Sequence, residues 1–380
     1  MKKKTVFTNG KIVTPGEVFS GTLRVAEGVI QEVDPGVSRL SSAVDLEGDY
    51  LLPGLIELHT DALERHFVPR PGVRWPETAA VLSHDAAIMA AGITTVFDAL
   101  ALGDTQENSE RILELDTMAG SVKTARAHGL LRVDHFLHLR CEVCYPEVVS
   151  LFRSFDGEPL VKLVSLMDHT PGQRQFTRLE KFLQYYQGKF SLSDGEAEEL
   201  IRRRKENQKK YSREHRETIV GLCRNRGLPL ASHDDTTLQH VQEAASEGVV
   251  ISEFPTTLEA ARAAREAGLV ILMGAPNMVI GRSHSGNVSA LELARSGLLD
   301  ILSSDYVPSS LLHGAFLLHH KMGWELPEAM QLITLNPARV AGLEDRGELG
   351  EGKRADLIQV RDHGGMPVIR RVWRMGRQIL

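Results

Sequence analysis

Short apolar runs recur along the middle of the chain, separated by longer stretches with helical spacing of apolar positions. This is the pattern of a parallel sheet with crossover helices. Candidate strands fall at 55–59, 94–99, 136–141, 161–167, 229–232, 249–253, 269–274 and 300–304. Helix-compatible segments occupy 79–91, 108–128, 258–267, 289–296 and 308–322 between them. Eight such strands predict a (β/α)8 barrel of the α/β class over 51–344. The first fifty residues instead read as short strands punctuated by glycines at 10, 16, 21, 28, 36 and 48, and the same texture returns at 355–360 and 367–373. Residues 1–50 and 345–380 are therefore expected to form one small β-sandwich built from both termini. One interval, about 171–225, is too long for an ordinary crossover. It carries Arg202, Arg203, Arg204, Lys205, Lys209 and Lys210. It is expected to be a solvated helix or helical hairpin, with a lid over a phosphorylated substrate as the alternative.

The chain has 380 residues, 42% hydrophobic and 6% aromatic, enough for one large core with an appendage. Its 44 Lys+Arg and 50 Asp+Glu give a net charge of −6, which argues against nucleic-acid binding through a basic footprint. No apolar run approaches the roughly 20 residues needed to span a bilayer. Neither a membrane nor a nucleic acid is expected as partner, a cytoplasmic location follows as the default, and a homo-oligomer is compatible with the sequence. The three cysteines include Cys141-Glu-Val-Cys144, but no second such pair follows. They are taken as ordinary reduced thiols.

Chemistry is sought among the fifteen histidines, because several stand beside carboxylates at predicted strand ends. Leu55-Ile-Glu-Leu-His-Thr-Asp61 places His59 and Asp61 two residues apart. His138, Arg140 and Glu142 end the third strand on one face, His169 follows the fourth, His233 ends the fifth and Asp305 follows the eighth. In a parallel barrel these ends converge on one face. Five independent buried hydrogen-bond sites would each need a partner, whereas one dinuclear cation site satisfies them together. Asp61, Glu142 and Asp305 would balance two divalent cations and leave one positive charge for a bridging hydroxide. Glu142 is then the candidate for a shared carboxylate, and Asp305 for the catalytic group that takes the proton from water and returns it to the leaving group. Asp168, Asp234 and Asp235 are read as orienting or turn residues, and Glu57 as a barrel-interior group.

Pro53-Gly-Leu-Ile-Glu-Leu-His59, Ser303 to Asp305 and the tail Gly352-Lys-Arg-Ala-Asp-Leu-Ile358 together resemble the amidohydrolase superfamily over essentially the whole chain. The usual second histidine of the first strand is replaced by Asp61. Longer words narrow the resemblance to the branch of that superfamily acting in bacterial phosphonate breakdown. They are Glu57-Leu-His-Thr-Asp-Ala-Leu-Glu-Arg-His66, Pro69-Arg-Pro-Gly-Val-Arg-Trp-Pro76, Leu137-His-Leu-Arg-Cys-Glu142, Ser165-Leu-Met-Asp-His-Thr-Pro-Gly-Gln173, Gly274-Ala-Pro-Asn277 and Gly281-Arg-Ser-His-Ser-Gly-Asn287.

The resemblance implies hydrolysis of a ribose 1-methylphosphonate 5-triphosphate to the 5-phosphate and pyrophosphate, a step of the carbon-phosphorus lyase pathway. It implies one or two divalent metal ions (Zn, Mn or Fe) on His59, Asp61, Glu142, His169, His233 and Asp305. The aspartate in place of a histidine favours Mn or Fe over exclusive zinc use. An anionic small-molecule substrate needs cations and N–H donors, for which Arg70, Arg74, Arg140, Arg174, Arg282, Ser283, His284 and Asn287 are the local supply. Two alternatives stand beside it: an amidohydrolase or deaminase acting on a C–N bond of a cyclic amide or nucleobase, and an inactive family member serving as a scaffold.

Overall fold

A computed structural model describes residues 4–70, 72–104, 110–172, 174, 193–283 and 286–380. Five strands open the chain: β1 (Lys4–Val13), β2 (Val18–Ala26), β3 (Val29–Pro35), β4 (Val44–Asp45) and β5 (Tyr50–Pro53). Eight parallel strands follow: β6 (Leu55–Thr60), β7 (Ile93–Leu102), β8 (Asp134–Glu142), β9 (Val161–Met167), β10 (Leu230–His233), β11 (Ile251–Glu253), β12 (Val270–Gly274) and β13 (Ile301–Ser303). The chain ends with β14 (Leu357–His363), β15 (Met366–Arg374) and β16 (Arg377–Gln378).

Strands β6 to β13 pair in chain order, and a parallel bridge from Thr60 to Asp305 joins the last to the first. The sheet is therefore a barrel, each strand followed by helical chain, as the apolar pattern predicts. Ile56, Leu58, Phe97, Leu163, Ala231, Ile251, Leu272 and Ile301 fill its interior. A larger apolar layer, including Val96, Leu100, Leu139, Val164 and Ile271, lies between strands and helices.

The closure depends on a buried carboxylate. Glu57 accepts the His59 N–H (2.6 Å) and the Ser304 N–H, and Ser303 Oγ lies 2.8 Å from it. Burial pushes Glu57 up to about 7 against these hydrogen bonds. Asp305 N donates to His59 O (3.1 Å) and Asp61 N donates to Asp305 O (3.1 Å), so the ends of β6 and β13 are laced together.

Strands of both termini form the second sheet, in the order β16-β15-β14-β5-β1-β2-β3, with β4 on β1. Phe7 of β1 meets Trp373 of β15 edge to face at 5.0 Å, although β14 and β5 separate their strands. The sheet thus folds over its own core of Phe7, Ile12, Leu23, Ile30, Leu51 and Leu357, giving the sandwich. Gly54 carries the chain from this module into the barrel. A Cβ there would stand 2.3 Å from Thr94 Oγ1, so no larger residue fits the crossing.

The charged interval resolves, within the described residues, into one helix, Asp194–Arg226. Ser193 and Glu196 form a capping box at its start and Gly227, in the left-handed region, ends it. Arg202 pairs with Glu199 and Glu206, and Arg213 with Glu217, along the solvent side. Leu200, Ile201, Ile219, Val220 and Cys223 are buried on the other side. The helix is docked along the barrel; residues 175–192 of the interval lie outside the described ones. Among the described residues no helix is long and apolar enough to cross a membrane.

At the amino end of the barrel, Asp134 of β8 receives Arg346 (2.8 Å), Arg354 (2.6 Å) and Arg374 from the C-terminal segment. Burial alone would raise its pKa, but the three guanidinium groups outweigh this and hold it at about 2, against an ordinary value of 3.8. Replacing Asp134 by Asn is expected to cost about 3 kcal/mol at neutral pH, because three mutually repelling cations lose their partner. The wild-type advantage is fully present above about pH 4 and is lost as pH falls through the folded-state value. Urea unfolding of the two proteins at pH 7 and below pH 4 checks this: the gap should narrow in acid, and a constant gap would contradict it.

Candidate active site

At the carboxyl ends of the barrel strands lies a cavity of about 460 Å³, walled by His59, His169, His233, Asp234, Asp305 and Arg140 among others. The pairing of β6 with β7 shifts register between Glu57 and Thr60, an irregularity at the position of His59. Three residues that line the cavity, Asp234, Phe254 and Asp305, have positive φ without being glycine. Such left-handed residues are held only where surrounding structure over-determines them, and they collect at functional sites.

Glu253, at the end of β11, organises two of the histidines. One carboxylate oxygen lies 3.1 Å from His59 Nδ1 and the other 3.2 Å from His233 Nδ1, with the two rings nearly parallel at 5.7 Å. Burial pushes both imidazoles well below their usual range, so both are neutral. A neutral imidazole that donates its Nδ1–H to a carboxylate carries its lone pair on Nε2, the state needed to ligate a cation. His233 Nε2 stands 3.5 Å, and His169 Nε2 3.8 Å, from Asp234 Oδ2.

His169 is held from behind: its Nδ1 lies 2.6 Å from Glu142 Oε2, and its backbone N–H donates to Glu142 Oε1 at 3.1 Å. Arg204 of the helix Asp194–Arg226 donates to the same Oε1 at 2.9 Å. Burial opposes ionisation of Glu142, but Arg204 and His169 outweigh it and hold the carboxyl at about 2. His138, by contrast, is committed on both nitrogens, to Leu58 O (2.9 Å) and Ser165 Oγ (3.0 Å), and pins the barrel interior.

The remaining carboxylates are short of positive charge. Burial and then the neighbouring charge of Asp61 push Asp305 up to about 7, and burial pushes Asp234 up to about 6. Asp61 Oδ1 and Asp234 Oδ2 are buried and accept no hydrogen bond. Orphaned carboxylate oxygens beside neutral imidazoles are a donor set that a divalent cation satisfies. His169, His233 and Asp234, whose ligand atoms lie within 4.8 Å of one another, would hold it, with His59 and Asp305 on the same cavity wall and Asp61 adjoining through its backbone bond to Asp305.

Of the expected substrate contacts, Arg140, Arg282, Ser283 and Asn287 line the cavity. Arg140 Nε is buried without a hydrogen-bond partner. Three of the other arginines named for that role do not line the cavity. Arg174 is buried against Asp235 (2.8 Å) and His233 O (3.1 Å), Arg74 pairs with Glu114 (2.7 Å), and Arg70 is exposed in a tight turn with Val73. His284 lies outside the described residues. The arginine that pairs with Glu142 is Arg204, from the helix Asp194–Arg226. Cys141, Cys144 and Cys223 are free and buried, and Cys144 donates to Asp168.

A model of the amidohydrolase family matches residues 166–377. The α-D-ribose 1-methylphosphonate 5-triphosphate diphosphatase of Escherichia coli strain K12 is 48% identical over 376 residues, 98% of this chain and 100% of that protein. The chain belongs to the amidohydrolase family. It is a hydrolase, and its barrel and terminal sandwich are those of the family. Among solved structures, a variant of N-acetyl-D-glucosamine-6-phosphate deacetylase from Mycobacterium smegmatis superposes with a TM-score of 0.65 at 16% identity, covering 100% of both chains. The 5-methylcytosine deaminase of Klebsiella pneumoniae does so with a TM-score of 0.65 at 15% identity, covering 100% of this chain and 98% of that one. These two likenesses concern the fold.

Within this amidohydrolase frame, nothing local in the sequence marks Glu253, a lone carboxylate ending a strand of three residues, and Asp234, expected as an orienting or turn residue, lines the cavity. Replacing Glu253 by Gln should weaken divalent-cation binding about 10–100-fold, because the amide keeps one acceptor oxygen and turns an NH2 towards the other histidine, which loses the acceptor that sets its tautomer. Competition against a chelating dye measures this; an unchanged affinity would remove Glu253 from the site.

Proposed function

We propose that the chain hydrolyses α-D-ribose 1-methylphosphonate 5-triphosphate to the 5-phosphate and pyrophosphate. The observation that carries the proposal is Arg140, a guanidinium with a buried, unpartnered Nε on the wall of a cavity that also gathers cation donors. A neutral cyclic amide or nucleobase has no use for that charge, whereas a triphosphate does. The full-length likeness to the E. coli diphosphatase supports the same substrate.

Arg140 and, across the cavity, Arg282 with Ser283 and Asn287 would bind and orient the phosphate and phosphonate oxygens. A bound divalent cation would polarise a phosphoryl oxygen and acidify a water. Manganese or iron suits the donors better than zinc alone, since Asp234 and Asp305 contribute hard oxygen ligands. Asp305, on the cavity wall, would take a proton from the attacking water and return it to the leaving pyrophosphate.

Phosphorus NMR of the purified protein with Mn, Fe or Zn should show pyrophosphate and the ribosyl 5-phosphate as products. Asp305→Asn should lower kcat by about 10²–10⁴, and Arg140→Met should raise KM. Turnover of C–N substrates alone, with the triphosphate untouched, would overturn the proposal.

A further inference from the structure

The helix Asp194–Arg226 is charged along most of its length, yet Arg204 is 3% exposed and points into the barrel. Its Nη2 donates to Glu142 Oε1 at 2.9 Å and its Nη1 to Asp104 O at 3.3 Å. It is not among the described residues that line the cavity. Glu142 in turn has both oxygens committed: Oε1 to Arg204 and the His169 N–H, Oε2 to His169 Nδ1 at 2.6 Å. A carboxylate so engaged stands behind an imidazole, where it fixes a ring and its tautomer.

We infer that Arg204 is a positioning residue for the cation site, locking Glu142 as the acceptor of the His169 Nδ1–H so that Nε2 is left for the cation. This changes the role expected of Glu142, from a carboxylate shared between two metals to the group that orients one ligand. It also changes the role of the charged insertion, whose buried arginine acts on a ligand from behind the cavity wall. The guanidinium suits the task because its planar fork grips the carboxylate and the Asp104 carbonyl together. Without it, Glu142 is left buried with less compensation and is free to turn. His169 then populates the tautomer with hydrogen on Nε2, which cannot ligate.

The inference rests on His169 being a cation ligand, as proposed above. The two roles of Glu142 predict opposite signs. Removing a positive charge beside a direct ligand would tighten cation binding, whereas removing the anchor of an orienting carboxylate weakens it. Cobalt(II) is titrated into the metal-free full-length protein and followed by its visible d–d absorption. Arg204→Met should weaken binding about 10–100-fold, and Arg204→Lys should restore part of the loss. Arg216→Met, which removes another buried arginine of the same helix, paired with Glu247, should leave the affinity unchanged. Unchanged or tighter binding by Arg204→Met, or an equal loss in Arg216→Met, would overturn the inference. Should Arg204→Met not fold, Arg204→Lys carries the test, with weaker binding expected and wild-type affinity decisive against it. Wild-type affinity in His169→Ala would remove the ligand and the inference with it. Pyrophosphate release by the wild type is read separately and reports only on the proposed function.

Discussion

Glu57 is buried between the first and last barrel strands and takes hydrogen bonds from His59 N–H, Ser304 N–H and the region of Ser303. A carboxylate in that position is costly to ionise, and it persists because the donors around it belong to the two strand ends that must meet. The consequence reaches beyond closure. With β6 laced to β13, His59 and Asp61 are brought to Asp305 through backbone hydrogen bonds of 3.1 Å, so the fold and the site share one joint.

From that joint outward, the site is a problem of charge. Asp61, Asp234 and Asp305 crowd one end of the barrel, and two of them carry buried oxygens with no hydrogen-bond partner. Glu253 and Glu142 stand behind the histidines and set which nitrogen faces the cavity. The negative donors call for a cation, and Arg140 and Arg282 on the walls call for an anion. A metal-dependent hydrolase of a phosphoanhydride joins the two demands in one reaction. The net charge of the chain, −6, averages over both and reveals neither.

Much of this was legible in the chain because barrel strands are short apolar runs ending in polar residues. His59, His169, His233 and Asp305 stand at such ends and do wall the cavity. Glu253 was not legible: its partners lie 20 and 194 residues away, and nothing local marks it. Arg204 was hidden differently, in a run of similar charges whose spacing does not say which one turns inward, 62 residues from Glu142. Arg70, Arg74 and Arg174 stand off the cavity wall for the converse reason. Their sequence neighbourhood suggested the site, but loop geometry gave them other partners or solvent.

The central claim is that the strand-end histidines and aspartates hold a divalent cation with the imidazoles oriented by Glu253 and Glu142. A crystal structure of the manganese-loaded protein, with anomalous difference density recorded for the metal, tests it most directly. A peak is expected within coordination distance of Nε2 of His59, His169 or His233 and a carboxylate oxygen of Asp234 or Asp305, with Glu253 and Glu142 still on the Nδ1 side. A peak elsewhere, or coordination through Nδ1 with both glutamates displaced, would contradict it.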